Sequence, residues 1–274
     1  MAVNQKASPP AAELTDKQKK RRSTWKLVKQ NYQLYLFLIP AIVFIVLFMY
    51  TPLYGLQIAF KNYRPGDGIW GSAWVGIKWF EKFFSTPRCW EIIRNTLTIS
   101  IYSLVAGFPF PIVLAIILNY VKNLKFKKFA QTVTYMPYFI STVVLVAMMS
   151  LFFSPSSGFV NTIIQSFGGE PIYFMGISSL FPHMYVWSGI WQSMGYSSII
   201  YIAALSGVSP ELHESAVIDG ANILQRIWHI DIPTILPTMI ILLIMSLGNV
   251  MNVGYEKVYL MQNDLIADVS EIIS

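Results

Sequence analysis

Five apolar runs, at about 33–58, 95–121, 130–152, 183–206 and 232–256, limit what this 274-residue chain can become. Each reaches the roughly 20 residues that an α-helix needs to cross the hydrocarbon core of a bilayer. In lipid, every backbone N–H and C=O group must be satisfied within the segment, so such runs fold as helices. The fold class expected is all-α, a polytopic transmembrane helical bundle with five spans. Pro40, Pro52, Pro109, Pro111, Pro137 and Pro237 fall inside or near these runs, so kinked rather than broken helices are expected. With 54% hydrophobic and only 12% charged residues, the composition excludes an ordinary soluble domain.

The charges between the runs set an orientation. Residues 1–31 hold eight Lys and Arg, residues 122–128 hold four (Lys122, Lys125, Lys127, Lys128), and 207–231 holds Arg226. The alternate segments hold seven: six between 61 and 94, none from 153 to 182, and Lys257. Thirteen against seven places the N-terminus in the cytoplasm. The chain then divides into a basic disordered cytoplasmic tail over 1–31, a first transmembrane helix over 32–60, an outer loop over 61–94 and a core over 95–274. No small-residue cleavage site follows the first run, which reads as a retained signal anchor. No basic stripe interleaved with aromatics suits a phosphate backbone, so nucleic acid is not the expected partner.

Between the fourth and fifth runs lies a polar interruption, 207–231, whose residues spell a helix, a bend and a helix. Ser209 followed by Pro210 is a helix start, Gly220 a position where the chain can turn left-handed, and Asn222 a second cap before a short helix ending ahead of Pro233. Catalytic chemistry finds no support. There is no Gly-rich phosphate loop with its following Lys, so ATP is not expected on this chain. His213, Glu214, His229 and Asp231 lack the helical spacing of a zinc site, and no metal is expected. Cys89, the lone cysteine, reads as an unpaired loop thiol.

Glu214-Ser215-Ala216, three residues, Gly220, nine residues, then Ile230-Asp231-Ile232-Pro233 resembles the Glu-Ala-Ala loop of type I, binding-protein-dependent ABC importer permeases. Ser215 stands where Ala is usual and Ile232 where Leu is usual. Ile218-Asp219-Gly220-Ala221, Pro237, Asn95-Thr96-Leu97, Asn119 and Tyr135-Met136-Pro137 extend the likeness, which points most to the carbohydrate-uptake group associated with oligomeric sugars. The resemblance implies a multi-pass permease subunit in the bacterial cell membrane, forming half of a sugar or oligosaccharide path. It implies coupling to a separate ABC ATPase, carrying ATP and Mg, through Glu214, Ser215, Ala216, Asp219, Gly220, Ala221 and Pro233. It implies a second permease subunit, a different chain in a heterodimer, and an extracellular or periplasmic solute-binding protein. The family has six core spans, so this five-span chain is expected to lack the last one.

A sugar path calls for stacking aromatics and neutral hydrogen-bonders inside the bundle. Trp187 and Trp191 lie one turn apart beside a stripe of Ser188, Gln192 and Gly195. Ser246, Asn249 and Asn252 line one face of the fifth run, and Tyr135 and Tyr138 sit in the third. The same residue types also serve as interfacial anchors and helix–helix glue, which stays open at this point. A rival function is a non-transporting membrane scaffold whose loop recruits a cytosolic protein.

Overall fold

A computed structural model describes residues 28–273. The expected tail over 1–31 therefore lies outside the described residues as far as residue 27. The remainder divides into two units, up to Phe83 and from Phe84 onward.

In the first unit, α1 (Tyr32–Phe60) is one apolar helix of 29 residues with no side chain buried. Its middle relaxes into a π segment, Val46–Tyr50, just ahead of Pro52. Proline has no N–H to return to the carbonyl four residues back, and a wider turn absorbs the defect. The expected outer loop is folded here. Lys61 Nζ donates to the Ile69 carbonyl at 2.7 Å, Phe60 stacks on Trp74 at 5.6 Å, and the indole N–H of Trp79 reaches the Lys61 carbonyl at 3.1 Å. An isolated bridge between Lys61 and Trp74 is the only β pairing among the described residues.

The second unit opens with α2 (Pro87–Tyr120), which starts eight residues before the expected span. Thr86 is extended and Pro87 occupies the first turn, where its missing donor costs nothing. Cys89 is thus buried in a helix rather than carried on a loop. Asn95 and Thr96 tie α2 to the chain beyond residue 267: the Asn95 amide donates to the Asp268 and Glu271 carbonyls, and Thr96 accepts from the Ile273 N–H at 2.9 Å.

The third apolar run is broken, not kinked. Two helices, α3 (Leu124–Phe139) and α4 (Thr142–Phe152), meet at 98°. Pro137 tightens the end of α3 to a 3-10 turn, Ile140 and Ser141 turn extended, and the Ser141 hydroxyl recaps α4 at the Val144 N–H. The carbonyl that the break releases, on Ile140, accepts from the Gln192 amide at 2.7 Å. A span can break at membrane depth when a neighbouring helix supplies the missing partner.

After a short helix, α5 (Phe159–Ser166), comes α6 (Phe181–Leu205), whose 25 residues span about 37 Å at 1.5 Å per residue. Gly195 lets α3 touch it: a methyl there would overlap the Thr134 carbonyl. Next are α7 (Pro210–Ile218), α8 (Ile223–Gly248) and α9 (Tyr255–Met261). Among the described residues only α1, α2 and α8 are long and apolar enough to cross a membrane, with a fourth if α3 and α4 count together. The expected fourth span, α6, falls outside that set because Ser, Gln and Gly fill its middle. The expected fifth span ends at Gly248 instead of 256, and its start reaches back to Ile223.

Two apolar clusters hold this unit. One gathers Ile99, Leu145, Met149, Phe181, Val253 and Val258, and the other Ile112, Ile116, Tyr201, Leu205 and Ile235. Phe181 opens α6 and Leu205 closes it, so the polar middle of that helix lies between the two clusters.

Candidate functional site

The loop forms as the residues direct, with one change in its capping. Ser209 is extended before Pro210, but its hydroxyl makes no capping bond. At the other end of α7, Gly220 sits at φ +81°, the Gly220 N–H returns to the Val217 carbonyl, and the Ala221 N–H returns to Ala216 at 2.8 Å. That pair of bonds is a Schellman close, which needs the left-handed residue that glycine supplies without a Cβ penalty. Asn222 and Gln225 then form a reciprocal capping box, at 2.9 and 2.8 Å.

The expected second short helix has no end of its own. It runs through a π segment, Ile227–Asp231, past Pro233 and into α8. The widened turn before Pro233 repeats the device before Pro52, so the proline is absorbed and the loop becomes a rigid extension of a span. Glu214, Ser215, Asp219, Gly220 and Pro233 are exposed, and Ala216 and Ala221 are half-buried. Around them Leu212, Ile218 and Trp228 are solvent-facing, Ile218 at 85%.

Beneath this surface lies a joint. Asp231 is completely enclosed. The Tyr120 hydroxyl at the end of α2 donates to its Oδ2 at 2.7 Å, and His213 Nε2 of α7 lies 3.3 Å from its Oδ1. The Arg226 guanidinium stands 5.5 Å from the Tyr120 ring centre, a cation–π distance. Three helices thus share one buried carboxylate. In the sequence His213 and Asp231 were polar loop residues and Tyr120 had no role, since it lies 111 positions from Asp231. A lone carboxylate beside a proline was the only available signal.

Along the middle of α6 opens a cavity of about 890 Å³, faced by α2, α3, α8 and the turn after α8. Four of the seven expected path residues line it: Tyr138, Gln192, Asn249 and Asn252. Tyr138 lies flat on Tyr196, with ring centres 3.9 Å apart. Asn249 and Asn252 do not line a face of the fifth span. They belong to the turn beyond Gly248, where the chain leaves the helix, and the Asn249 amide donates back to the Met245 carbonyl at 2.9 Å.

Trp187, Trp191 and Tyr135 are elsewhere. The two tryptophans bound a separate apolar pocket against α4, together with Ser188, and the Trp187 indole donates to the Tyr102 hydroxyl at 2.9 Å. Helical geometry explains the split: each residue advances 100°, so Gln192 points well away from Trp191. Tyr135 is half-buried near the α3–α6 contact.

The residue missed from the sequence is Lys257 on α9, in the cavity wall. Its Nζ donates to the Tyr185 carbonyl at 2.8 Å and lies 4.6 Å from that ring's centre. Burial pushes the ammonium down to about 8, so it keeps its charge at neutral pH. Among the described residues no group of three His, Cys, Asp or Glu side chains is placed to hold a metal ion.

The family model for the binding-protein-dependent transport system inner membrane component matches residues 107–254, more than half of the chain. The chain belongs to this permease family. Among the permease's relatives is the polygalacturonan/rhamnogalacturonan transport system permease protein YteP of Bacillus subtilis, 40% identical over 97% of this chain and 83% of that protein. Protein LplB of the same organism is also 40% identical, over 89% of this chain and 77% of that protein. In three dimensions the permease resembles a bacterial ABC transporter involved in import of the acidic polysaccharide alginate. The TM-score is 0.83 at 37% identity, over 91% of this chain and 84% of the other. A bacterial alginate ABC transporter in complex with an alginate pentasaccharide-bound periplasmic protein matches at TM-score 0.82 and 37% identity, over 90% of this chain and 82% of the other. The protein is a multi-pass membrane subunit, and ATP hydrolysis belongs to a separate subunit in this family.

Proposed function

We propose that this permease forms one half of the inward path for an oligosaccharide and takes its driving motion from an ABC ATPase docked on α7. The observation that carries this reading is the Asp231 joint, which fastens α7 to α2 and α8, two of the helices that face the cavity. The exposed Glu214, Ser215 and Asp219, set among Leu212, Ile218 and Trp228, offer the ATPase an apolar surface with carboxylates at its edge. Ala216 permits close approach of a partner backbone, Gly220 and Ala221 set the angle of α7, and Pro233 marks where the loop enters the span. When the ATPases close on ATP and Mg, α7 is displaced, and the joint moves the bases of α2 and α8 as one body.

The cavity side completes the reading. Tyr138 and Tyr196 offer ring faces to a sugar, and Gln192, Asn249 and Asn252 offer neutral hydrogen-bonders. A second permease subunit, different from this chain, supplies the facing half. A solute-binding protein delivers the sugar from outside. The Lys and Arg count puts the loop and the N-terminus on the cytoplasmic side.

The test is ATP-driven uptake of a labelled oligosaccharide by the full complex in proteoliposomes. Glu214→Ala and Gly220→Ala are expected to leave the complex folded while separating ATP hydrolysis from uptake. Undiminished coupling in both variants would rule out docking through α7, and recovery of the complex without any ATPase would favour the scaffold reading.

A further inference from the structure

Among the described residues Lys257 is the one charged side chain in the cavity wall, and no carboxylate lines that wall to neutralise it. The residue is 8% exposed. Its ammonium carries three donors, and one is used, on the Tyr185 carbonyl. Among the described residues no Asp or Glu faces the cavity. Burying a cation without a counter-ion is unfavourable, so a fold that merely needed packing here would be better served by an apolar side chain. The surroundings are shaped around the charge. Gly189 has no side chain, and a methyl there would come within 3.3 Å of Nζ, while the Tyr185 ring centre lies 4.6 Å from the ammonium. Asn249 and Asn252 line the same cavity and offer amides to neighbouring hydroxyls.

We infer that Lys257 is a recognition site for a carboxylate on the transported glycan, so that the permease carries an oligosaccharide containing uronic acid residues. This rests on the oligosaccharide reading of the cavity and narrows it to acidic sugars. A single ammonium, with neither an arginine fork nor a cluster of backbone N–H groups beside it, suits a monoanion better than a phosphate dianion. The tyrosines and neutral amides would hold the sugar rings, and Lys257 would select their charge.

The experiment compares uptake of trigalacturonate with uptake of its fully methyl-esterified, neutral counterpart by the complete transporter in proteoliposomes. Lys257→Gln is expected to lower trigalacturonate uptake roughly tenfold or more relative to the ester, the scale of one charge-assisted hydrogen bond. Lys257→Arg, which keeps the charge, should restore most of that preference. Gly189→Ala, which crowds the ammonium without removing it, should shift the ratio the same way by a smaller factor and covers the case in which Lys257→Gln does not assemble. Equal loss on both glycans, or no change in their ratio, overturns the carboxylate site and leaves the permease reading standing. So does uptake of the ester alone by the unmodified transporter. Failure to move either glycan overturns the oligosaccharide reading itself. Inhibition by glucose 6-phosphate that is stronger than by glucuronate, and lost in Lys257→Gln, would reassign the site to phosphate and overturn the uronate assignment.

Discussion

At the base of α8, Asp231 is enclosed completely but touched by a tyrosine and a histidine from two other helices. Past the far end of the same helix, Lys257 is nearly as enclosed but holds only one backbone carbonyl. Both ends bury an ionisable group, and they treat it in opposite ways. A buried charge contacted by side chains of two other helices ties those helices to its own, because breaking the set strands a charge in a medium that cannot solvate it. A buried charge left with spare donors fixes little and keeps its capacity for something that arrives. The first arrangement suits a mechanical joint and the second a binding site. Helix α8 and the turn after it lie between them.

The contrast is most directly broken at Asp231. Asp231→Leu removes the carboxylate and leaves His213 and the Tyr120 hydroxyl without their partner. Losing one member of such a buried set costs about 3–5 kcal/mol, so a clear drop in the melting temperature of the purified complex is expected, along with loss of uptake. An unchanged melt would mean that the three helices are held by their apolar cluster alone. Tyr120→Phe is gentler. It deletes one hydroxyl but keeps the ring beneath Arg226, and should cost about 1–3 kcal/mol through the unsatisfied carboxylate oxygen. Its effect on coupling should exceed its effect on glycan selectivity; the reverse result would place Tyr120 with the cavity and not with the joint. The smallest effect belongs to Trp187→Phe, which loses the bond to Tyr102 outside the cavity. About 0.5–1.5 kcal/mol of stability and no change in substrate preference are expected, and altered preference would return Trp187 to the sugar path.

Much of the loop is legible in the sequence. Pro210, Gly220 and Asn222 act through local backbone geometry, and local geometry is what a short sequence window encodes. The Ser209 hydroxyl is the exception, since an extended residue before proline starts the helix without its side chain. The continuation of α8 through Pro233 was hidden because a proline near a helix start predicts a boundary, whereas a π segment absorbs it. Likewise Pro137 predicted a kink. The break at Ile140 persists only because Gln192, 52 residues later, takes up the released carbonyl. Of the path residues, those that reached the cavity were selected by the facing of α6 and by the turn after Gly248. Residue type alone gave the two tryptophans the same claim.

By itself the sequence determined that this chain is a bundle of apolar helices carrying one polar helix-bend-helix loop, and that its loop spacing resembles that of importer permeases. Apolar runs must become helices in lipid, and a Gly–Asn bend needs no distant partner to form. Only the tertiary structure decided which polar groups share a space. Tyr120 meets Asp231, Gln192 meets Ile140, and Lys257 faces Asn249 and Asn252 around one cavity. Those meetings depend on how helices rotate and cross, which side-chain packing sets across stretches far apart in the chain.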